Sequence, residues 1–403
     1  MSTGNGKRGA ATLAAANGTG NGKAHDDTIH GTTLITGGAG FIGANLADAL
    51  LREGRRVVVL DNLSRPGVEQ NLAWLRARHG ALLDVMVEDV RDSRAVRAAV
   101  ARADTIFHFA AQVAVTTSLL DPVDDFGVNA RGTLNVLEAA RMRRTPPAIV
   151  FTSTNKVYGA LDDVAIVRDG ARYAPASEAL RASGISEARP LDFHSPYGCS
   201  KGAADQYVLD YARSYGLPSV VFRMSCIYGP HQFGTEDQGW VAHFLIRALD
   251  GDPVTLYGDG MQVRDILFVE DLVAAFRLAA RDARRLAGRA FNIGGGPRNA
   301  ISLLELLDLI ELMHGRRPHV TLADWRTGDQ RYYVSDTTRF AQATGWAPAV
   351  SAVDGIDRLY RWLRESRGMP AAADSVADDA TADASLAAAA AAAGRGSERL
   401  EAP

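Results

Sequence analysis

Cysteine and long apolar runs are scarce in this sequence, and both shortages restrict the class of protein. Only Cys199 and Cys226 occur, which is too few for a disulfide framework and fits a reducing compartment. No apolar run reaches the roughly 18 residues that a membrane-spanning helix needs. The N-terminal residues also lack the apolar segment of a signal peptide, so we expect a cytoplasmic protein without membrane association.

An excess of charge of either sign is absent as well. The net charge is -3 and the isoelectric point is about 6.3, so the composition gives no indication of binding to nucleic acid. With 403 residues, of which 47% are hydrophobic, the chain can bury a large core and form two lobes. We expect no metal site.

Lysine is the scarcest charged residue. Of 44 basic residues only four are lysine, namely Lys7, Lys23, Lys156 and Lys201. The first two lie in a Gly/Asn/Ala-rich segment, residues 1–28, whose composition predicts a disordered tail, as does that of the Ala-rich segment 369–403. Because a compact amine and a planar guanidinium differ in shape and pKa, the other two positions are predicted to require lysine. A mutational bias that spared two lysines is the alternative.

Short apolar strands alternate with helical patterns through residues 29–225. The predicted strands are 32–36, 56–60, 82–87, 104–109, 148–151 and 219–223, and the clearest helices are 44–53, 128–141 and 195–215. This alternation predicts an α/β fold with a doubly wound parallel sheet. Residues 226–368 alternate less regularly and are predicted to form mainly a smaller, mixed α/β substrate-binding lobe, with segments around 260–300 returning to the first domain.

A glycine-rich turn between the first strand and the first helix predicts a dinucleotide site. Gly37, Gly40 and Gly43 suit a tight turn, close approach to a pyrophosphate and close helix packing, respectively. Asp61 follows the second strand, where a carboxylate can bind ribose hydroxyls and would repel a 2′-phosphate, which favours NAD over NADP. Arg65 nearby is the counter-argument, and a purely structural glycine turn is the alternative.

Other residues at the predicted strand ends are candidates for contact with the same cofactor. Asp89 follows the third strand and is predicted to face the adenine amino group. The further candidates are Phe41, Ile42, Asn62, Val90, Ala110, Ala111, Gln112 and Asn129. A structural role for this group remains open.

Tyr197 and Lys201 form the only Tyr-x-x-x-Lys of the chain. Residues four apart share one face of a helix, so the phenol and the amine are predicted to point into one site. The ammonium is expected to lower the pKa of the phenol, and the amine can also donate to a ribose hydroxyl. Thr154, just past the fifth strand, can bond the same substrate oxygen. Tyr158 lacks a lysine four residues later and is predicted to be structural.

These motifs carry a resemblance to a known family. GGAGFIG, STNKVYG, Tyr-x-x-x-Lys, CIYGP, QVRD and FNIGGG occur in this order and resemble the extended short-chain dehydrogenase/reductases that remodel nucleotide sugars. The resemblance covers about residues 30–365. It implies a Rossmann sheet that binds NAD, a nucleotide-sugar substrate, and assembly into a homodimer or homotetramer.

The two residues after Thr154 discriminate within this family. The sugar 4,6-dehydratases carry Asp-Glu there for water elimination, whereas Asn155 and Lys156 supply no carboxyl group. TSTNKVYG and residues 191–213 are most similar to the branch that inverts C2 of a CDP-linked dideoxyhexose. The resemblance therefore implies oxidation to a 2-keto sugar and re-reduction by the same, tightly bound NAD. The alternatives are 4-epimerisation, 2-epimerisation of another nucleotide hexose, and a non-catalytic NAD-binding regulator.

Substrate contacts are predicted with less direct support. Arg264 and Arg331 match family positions that face the substrate phosphates, and guanidinium groups suit that role. Lys156 is predicted to lie near the sugar hydroxyls or the keto oxygen, with Asn155 beside it. Further candidates for the sugar or base are Gln232, Asp237, Gln238 and His194, and a helix-capping role is the alternative for His194.

Overall fold

The structure, a computed structural model, describes Met1, residues 31–326 and residues 328–370. The predicted tails, 1–28 and 369–403, lie outside the described residues except for Met1, Met369 and Pro370. Within the described part, no helix is both long and apolar enough to cross a bilayer.

The elements of the described residues fall into strands and helices as follows. The strands are β1 (Thr32–Thr36), β2 (Arg56–Leu60), β3 (Leu83–Met86), β4 (Thr105–His108), β5 (Ala148–Thr154), β6 (Ile166–Asp169), β7 (Arg172–Pro175), β8 (Ser219–Met224), β9 (Cys226–Tyr228), β10 (Val254–Tyr257), β11 (Val263–Phe268), β12 (Arg289–Ile293), β13 (Ala300–Ser302), β14 (Val320–Ala323) and β15 (Tyr332–Tyr333). The α-helices are α1 (Phe41–Arg52), α2 (Val68–His79), α3 (Ser93–Val100), α4 (Val115–Leu120), α5 (Pro122–Phe126), α6 (Gly132–Arg141), α7 (Glu178–Ser183), α8 (Ser195–Tyr215), α9 (Trp240–Asp250), α10 (Val269–Arg281), α11 (Ala283–Leu286), α12 (Leu303–His314), α13 (Thr338–Thr344) and α14 (Ala352–Ser366).

Seven of these strands form one parallel sheet in the order β12-β8-β5-β4-β1-β2-β3. Alternate residues of each strand enter different cores, so that Val57 and Val59 pack in one cluster and Val58 and Leu60 in another. Helices α1 and α10 cover the first cluster, whereas α3, α6 and α8 cover the second. Because both faces are buried, the strands read as continuous apolar runs. The predicted doubly wound sheet is confirmed.

The smaller lobe is built around β11, which pairs with β9, β13 and β15. Strands β10 and β14 form a second pair, and α9, α12 and α14 share an apolar cluster with β11. Strand β12 lies after the predicted boundary at residue 225 and still belongs to the large sheet. The chain therefore returns to the large sheet at least once after residue 225. The domain boundary at 225/226 remains a prediction.

Several element boundaries differ from the sequence-based prediction. Helix α1 begins at Phe41, three residues before its predicted start, because Gly40 takes the N-cap position. Strand β5 continues to Thr154, so this threonine ends the strand instead of following it. The helix predicted from residue 128 contains a π-helical turn at Gly127–Arg131 before α6. The capping box of Ser302 and Glu305 at the start of α12 is present.

Tyr158 is part of the framework between the two lobes. Its side chain is fully buried and its hydroxyl donates to Asn292 Oδ1 at 2.7 Å. The guanidinium of Arg223 lies 3.2 Å from the same hydroxyl and forms two hydrogen bonds of 2.9 Å with the Asp205 carboxylate. The phenol therefore has a structural environment away from the cleft described below.

Candidate active site

A cleft of about 1170 Å³ opens at the carboxyl ends of β1, β2, β4 and β5. This is the edge of a doubly wound sheet at which ligands bind. Most predicted cofactor residues line it: Gly37, Gly40, Phe41, Ile42, Gly43, Asp61, Asn62, Asp89, Val90, Ala110, Ala111, Gln112, Tyr197 and Lys201. The fold thus brings residues from five separate segments to one surface.

The glycine-rich turn leaves no room for side chains. Gly37 has a φ of +69°, and a Cβ there would lie 2.8 Å from the backbone nitrogen of Ala110. A Cβ on Gly43 would lie 2.4 Å from the carbonyl oxygen of Gly37. Gly40 is the N-cap of α1 and makes no side-chain capping bond, and Gly40 and the first helical residues, Phe41 and Ile42, line the cleft. This arrangement fits a pyrophosphate at a helix N-terminus.

Asp61 is fixed beside this turn. Its two carboxylate oxygens accept hydrogen bonds from the backbone nitrogens of Ala39 at 3.0 Å and Leu63 at 2.9 Å. Burial raises the pKa of Asp61, and the nearby charge of Arg65 opposes this effect only weakly. A carboxylate held here fits ribose hydroxyls and disfavours a 2′-phosphate.

Two of the predicted cofactor residues, Asn129 and Asp89, form hydrogen bonds with other groups of the protein. Asn129 does not line the cleft; its Nδ2 lies 3.1 Å from the Gln112 carbonyl oxygen, and its Oδ1 accepts from the Gln112 nitrogen at 3.0 Å. It therefore holds the Gln112 segment in place. Asp89 lines the cleft but is bonded to Arg91 and to Asn62 Nδ2, and the Arg91 bond lowers the pKa of Asp89 to about 2.

Thr154, Tyr197 and Lys201 are all buried and line the centre of the cleft. Lys201 Nζ donates to the carbonyl oxygen of Thr152 at 2.6 Å and lies 4.4 Å from the centre of the Phe151 ring. Helix α8 thus presents the phenol and the amine on one face, as predicted, and β5 delivers the threonine hydroxyl beside them.

The predicted lowering of the phenol pKa by Lys201 is not found in this arrangement. Burial raises the pKa of Tyr197 to about 12, and a hydrogen bond with Thr154 and the charge of Arg65 oppose that rise. Burial also lowers the pKa of Lys201 to about 7, so the amine is only partly charged at neutral pH. Desolvation is the largest influence on the pKa of each group.

Asn155 and Lys156 line the cleft and also contact the loop between β14 and β15. Asn155 Nδ2 donates to Gln330 Oε1 at 3.0 Å, and Lys156 Nζ donates to the carbonyl oxygen of Gly328 at 3.1 Å. Burial, followed by the charge of Arg264, lowers the pKa of Lys156 to about 8. The pair therefore connects the end of β5 to the substrate-side lobe.

The predicted phosphate-binding arginines differ in position. Arg264 is buried, lines the cleft and donates to Asp329 Oδ1 at 2.7 Å. Arg331 lies outside the cleft, with its guanidinium 5.3 Å from the centre of the Trp325 ring. Arg326, from the same loop, lines the cleft and lies 3.7 Å from the centre of the Tyr257 ring. Of these two loop arginines Arg326 lines the cleft and Arg331 does not, and a phosphate-binding role for Arg331 stays a prediction.

The other predicted substrate residues also lie partly inside and partly outside the cleft. Gln232, Asp237 and Gln238 line the cleft, whereas His194 lies outside it, 3.0 Å from an oxygen of Asp192. His194 occupies the N-cap position of α8 but makes no side-chain capping bond. The buried Gln232 Oε1 has no partner among the described residues.

Gln262 and Asp329 were missed by the sequence analysis. Gln262 lies in the quoted QVRD motif; its Nε2 donates to the Tyr257 carbonyl oxygen at 2.7 Å, and its buried Oε1 has no partner within the described ranges. Both residues line the cleft. Unpartnered buried amide oxygens indicate that the cleft accommodates a hydrogen-bonding ligand.

Comparisons with known proteins agree with this site. A profile of the NAD dependent epimerase/dehydratase family matches residues 33–294. The CDP-paratose 2-epimerase of Salmonella typhi is 44% identical over 336 residues, which cover 82% of this chain and 98% of that protein. The dTDP-glucose 4,6-dehydratase of an Actinoplanes species is 32% identical, over 83% of this chain and 98% of that one.

A solved structure supports the same conclusion. The UDP-glucose 4-epimerase of Thermus thermophilus, crystallised as a complex with NAD, matches with a TM-score of 0.67 and 34% identity over 82% of this chain and 97% of that chain. The chain therefore belongs to the NAD dependent epimerase/dehydratase family.

Proposed function

We propose that this protein is a nucleotide-sugar epimerase that inverts C2 of the hexose in a CDP-linked dideoxyhexose. One observation carries the proposal: Thr154, Tyr197 and Lys201 meet in the cleft, while Asn155 and Lys156 stand where elimination would need carboxyl groups. Hydride transfer therefore has its residues, and the two positions after Thr154, where the resemblance places the acid and base of dehydration, carry no carboxyl group. The carbon position and the CDP group are supported by the 44% identity to a CDP-paratose 2-epimerase.

NAD fits the cleft through the glycine-rich turn, Asp61 and Lys201, and when bound it accepts a hydride from a carbon and returns it. Tyr197 then removes the proton of the C2 hydroxyl, and Thr154 bonds the same oxygen. Since burial raises the pKa of Tyr197 to about 12, this role requires positive charge near the phenol. Arg65 supplies that charge, since it is the cation that acts on the phenol. Tyr197 returns the proton after the 2-keto sugar has presented its other face.

The substrate half of the cleft contains three cationic side chains that can meet a diphosphate. Arg264, Arg326 and Lys156 line it from three different segments of the chain. Guanidinium groups bind phosphate oxygens in pairs, whereas an amine acts as a compact donor. We assign the diphosphate to the two arginines and the sugar oxygens to Lys156.

Three further properties accompany the proposal. Because each turnover regenerates the oxidised cofactor, NAD can stay tightly bound. A homodimer or homotetramer is supported by exposed apolar side chains on neighbouring helices α4, α5 and α8, namely Leu119, Leu120, Val123, Phe126, Tyr207 and Tyr215. The free thiols of Cys199 and Cys226 support a cytoplasmic location.

A panel of nucleotide hexoses in deuterated water, followed by proton NMR, tests the proposed function. We expect inversion at C2 of a CDP-linked 3,6-dideoxyhexose, with no inversion at C4 and no loss of water. Matched substrates carrying UDP or dTDP serve as controls for the base. Inversion at C4 would identify a 4-epimerase, and NAD binding without turnover of any substrate would favour the regulator.

A further inference from the structure

One carboxylate lies between two cations of the substrate half. Asp329 Oδ1 is 2.7 Å from Arg264 Nη2 and 3.8 Å from Lys156 Nζ. The two cations come from different parts of the fold, since Lys156 follows β5 of the large sheet and Arg264 belongs to β11 of the smaller lobe. All three residues line the cleft.

A carboxylate at this place is unfavourable for a diphosphate ligand, because like charges repel within a partly desolvated cleft. Its presence therefore needs another explanation. Arg264 and Lys156 also repel each other, and burial further disfavours a charged amine. The charged or titratable groups that face Lys156 are Arg264, Asp329 and the thiol of Cys226. Among them Asp329 is the anion placed to offset both effects.

We propose that Asp329 is a positioning residue that keeps the amine of Lys156 protonated and directed at the sugar. The amine also donates to the carbonyl oxygen of Gly328, which belongs to the same loop before β15. This loop thus sets both the orientation and the charge of Lys156. The catalytic consequence rests on the proposed function, whereas the effect on the charge does not.

The same loop has an independent anchor, so removal of the Asp329 charge leaves it attached. Gln330 Nε2 donates to the Gly159 carbonyl oxygen at 2.6 Å, and Gln330 Oε1 accepts from Asn155 at 3.0 Å. Gln330 is fully buried. Asp329→Asn keeps the shape of the side chain and these bonds, while removing the charge that faces Lys156.

The scarcity of lysine makes the charge measurable without a substrate. Protein labelled with ¹³C at lysine Cε gives signals from only four lysines, and Lys156→Arg identifies the signal of Lys156. We expect Asp329→Asn to lower the pKa of Lys156 by about one pH unit or more. Asp329→Glu should restore it, and Asp324→Asn, an exposed aspartate of the same loop, should leave it unchanged. An unchanged Lys156 titration in Asp329→Asn overturns the proposal.

Activity provides the second readout. The charged amine is present below its pKa and is lost as pH rises through it, so kcat/KM should fall on the alkaline side. Burial and Arg264 lower the pKa of Lys156 to about 8 in the native protein. In Asp329→Asn that decline should begin at lower pH. A uniform rise in KM at every pH would show direct ligand binding by Asp329 and overturn the proposal.

Failure of every nucleotide sugar to react would contradict the proposed function but leave the lysine titration decisive.

Discussion

Replacing Tyr197 with phenylalanine should lower kcat by about 10³-fold, because the site then has no group that can take and return the proton of the sugar hydroxyl. The phenol is buried beside Thr154 and lines the cleft, and the ring of phenylalanine fills the same space. Binding of NAD should therefore persist. The loss should appear in kcat at saturating substrate, measured by NMR of the epimer ratio over time.

The same substitution at Tyr207 provides the matched control. Tyr207 lies on the same helix, α8, but is 46% exposed and does not line the cleft. Tyr207→Phe should retain native kcat. If Tyr197→Phe turned over at a comparable rate, the assignment of Tyr197 as the acid and base would be wrong.

Asp205→Asn should destabilise the protein by about 3–5 kcal/mol, because it leaves the charge of Arg223 buried without its partner. The side chains of Arg223 and Asp205 are 6% and 0% exposed, respectively, and form a bidentate pair with two hydrogen bonds of 2.9 Å. Arg223 also lies 3.2 Å from the Tyr158 hydroxyl, so the pair supports the strand ends beneath the catalytic threonine. Urea unfolding measures the change in the free energy of unfolding.

Asp210→Asn, on the same helix, is the control that distinguishes the effect of burial from the effect of losing a charge. The pair of Asp210 and Arg213 has a nitrogen–oxygen distance of 3.6 Å and side chains that are 50% and 75% exposed. Exposed ion pairs contribute about 0–1 kcal/mol to the free energy of unfolding, so the urea concentration at the midpoint of unfolding should barely change. Equal losses for Asp205→Asn and Asp210→Asn would contradict the importance of burial at Asp205.

The parts of the site that the sequence predicted have local signals. Gly37 to Gly43 form a contiguous motif whose backbone requirements are visible in the residues themselves. Tyr197 and Lys201 are related by the helical period, and Thr154 by its place at a strand end. Asn155 and Lys156 were informative because of the carboxyl groups they exclude. The inferences on the glycines, Tyr197, Lys201 and Thr154 need only the secondary structure around each motif, whereas the inference from Asn155 and Lys156 rests on the family resemblance.

Non-local features were predicted less well. Arg331 was predicted to face the substrate phosphates, whereas the arginine of this loop that lines the cleft is Arg326, because the direction of a side chain in an irregular loop depends on what packs against it. Here Arg326 stacks on Tyr257, from a strand about 70 positions earlier in the chain. Asp329 was missed for the same reason, since both of its cationic partners are distant in the sequence. A contact between distant segments leaves no pattern in the sequence of either segment.

The pKa of the catalytic phenol shows a second kind of limit. The spacing of Tyr197 and Lys201 correctly places both groups on one face of α8, but it contains no information about desolvation. In the structure both side chains are more than nine-tenths buried, and burial moves the two pKa values in opposite directions toward the neutral forms. The sign of such a shift follows from solvent exposure, which only the assembled fold determines.

The most direct test of oxidation and re-reduction at C2 uses a CDP-linked 3,6-dideoxyhexose that carries deuterium on C2, with the reaction run in ordinary water. Direct return of the same hydride predicts that both epimers keep the deuterium at C2 and that the rate falls with the label, as read by mass spectrometry and NMR. Replacement of the C2 deuterium by hydrogen from water during epimerisation would contradict this account.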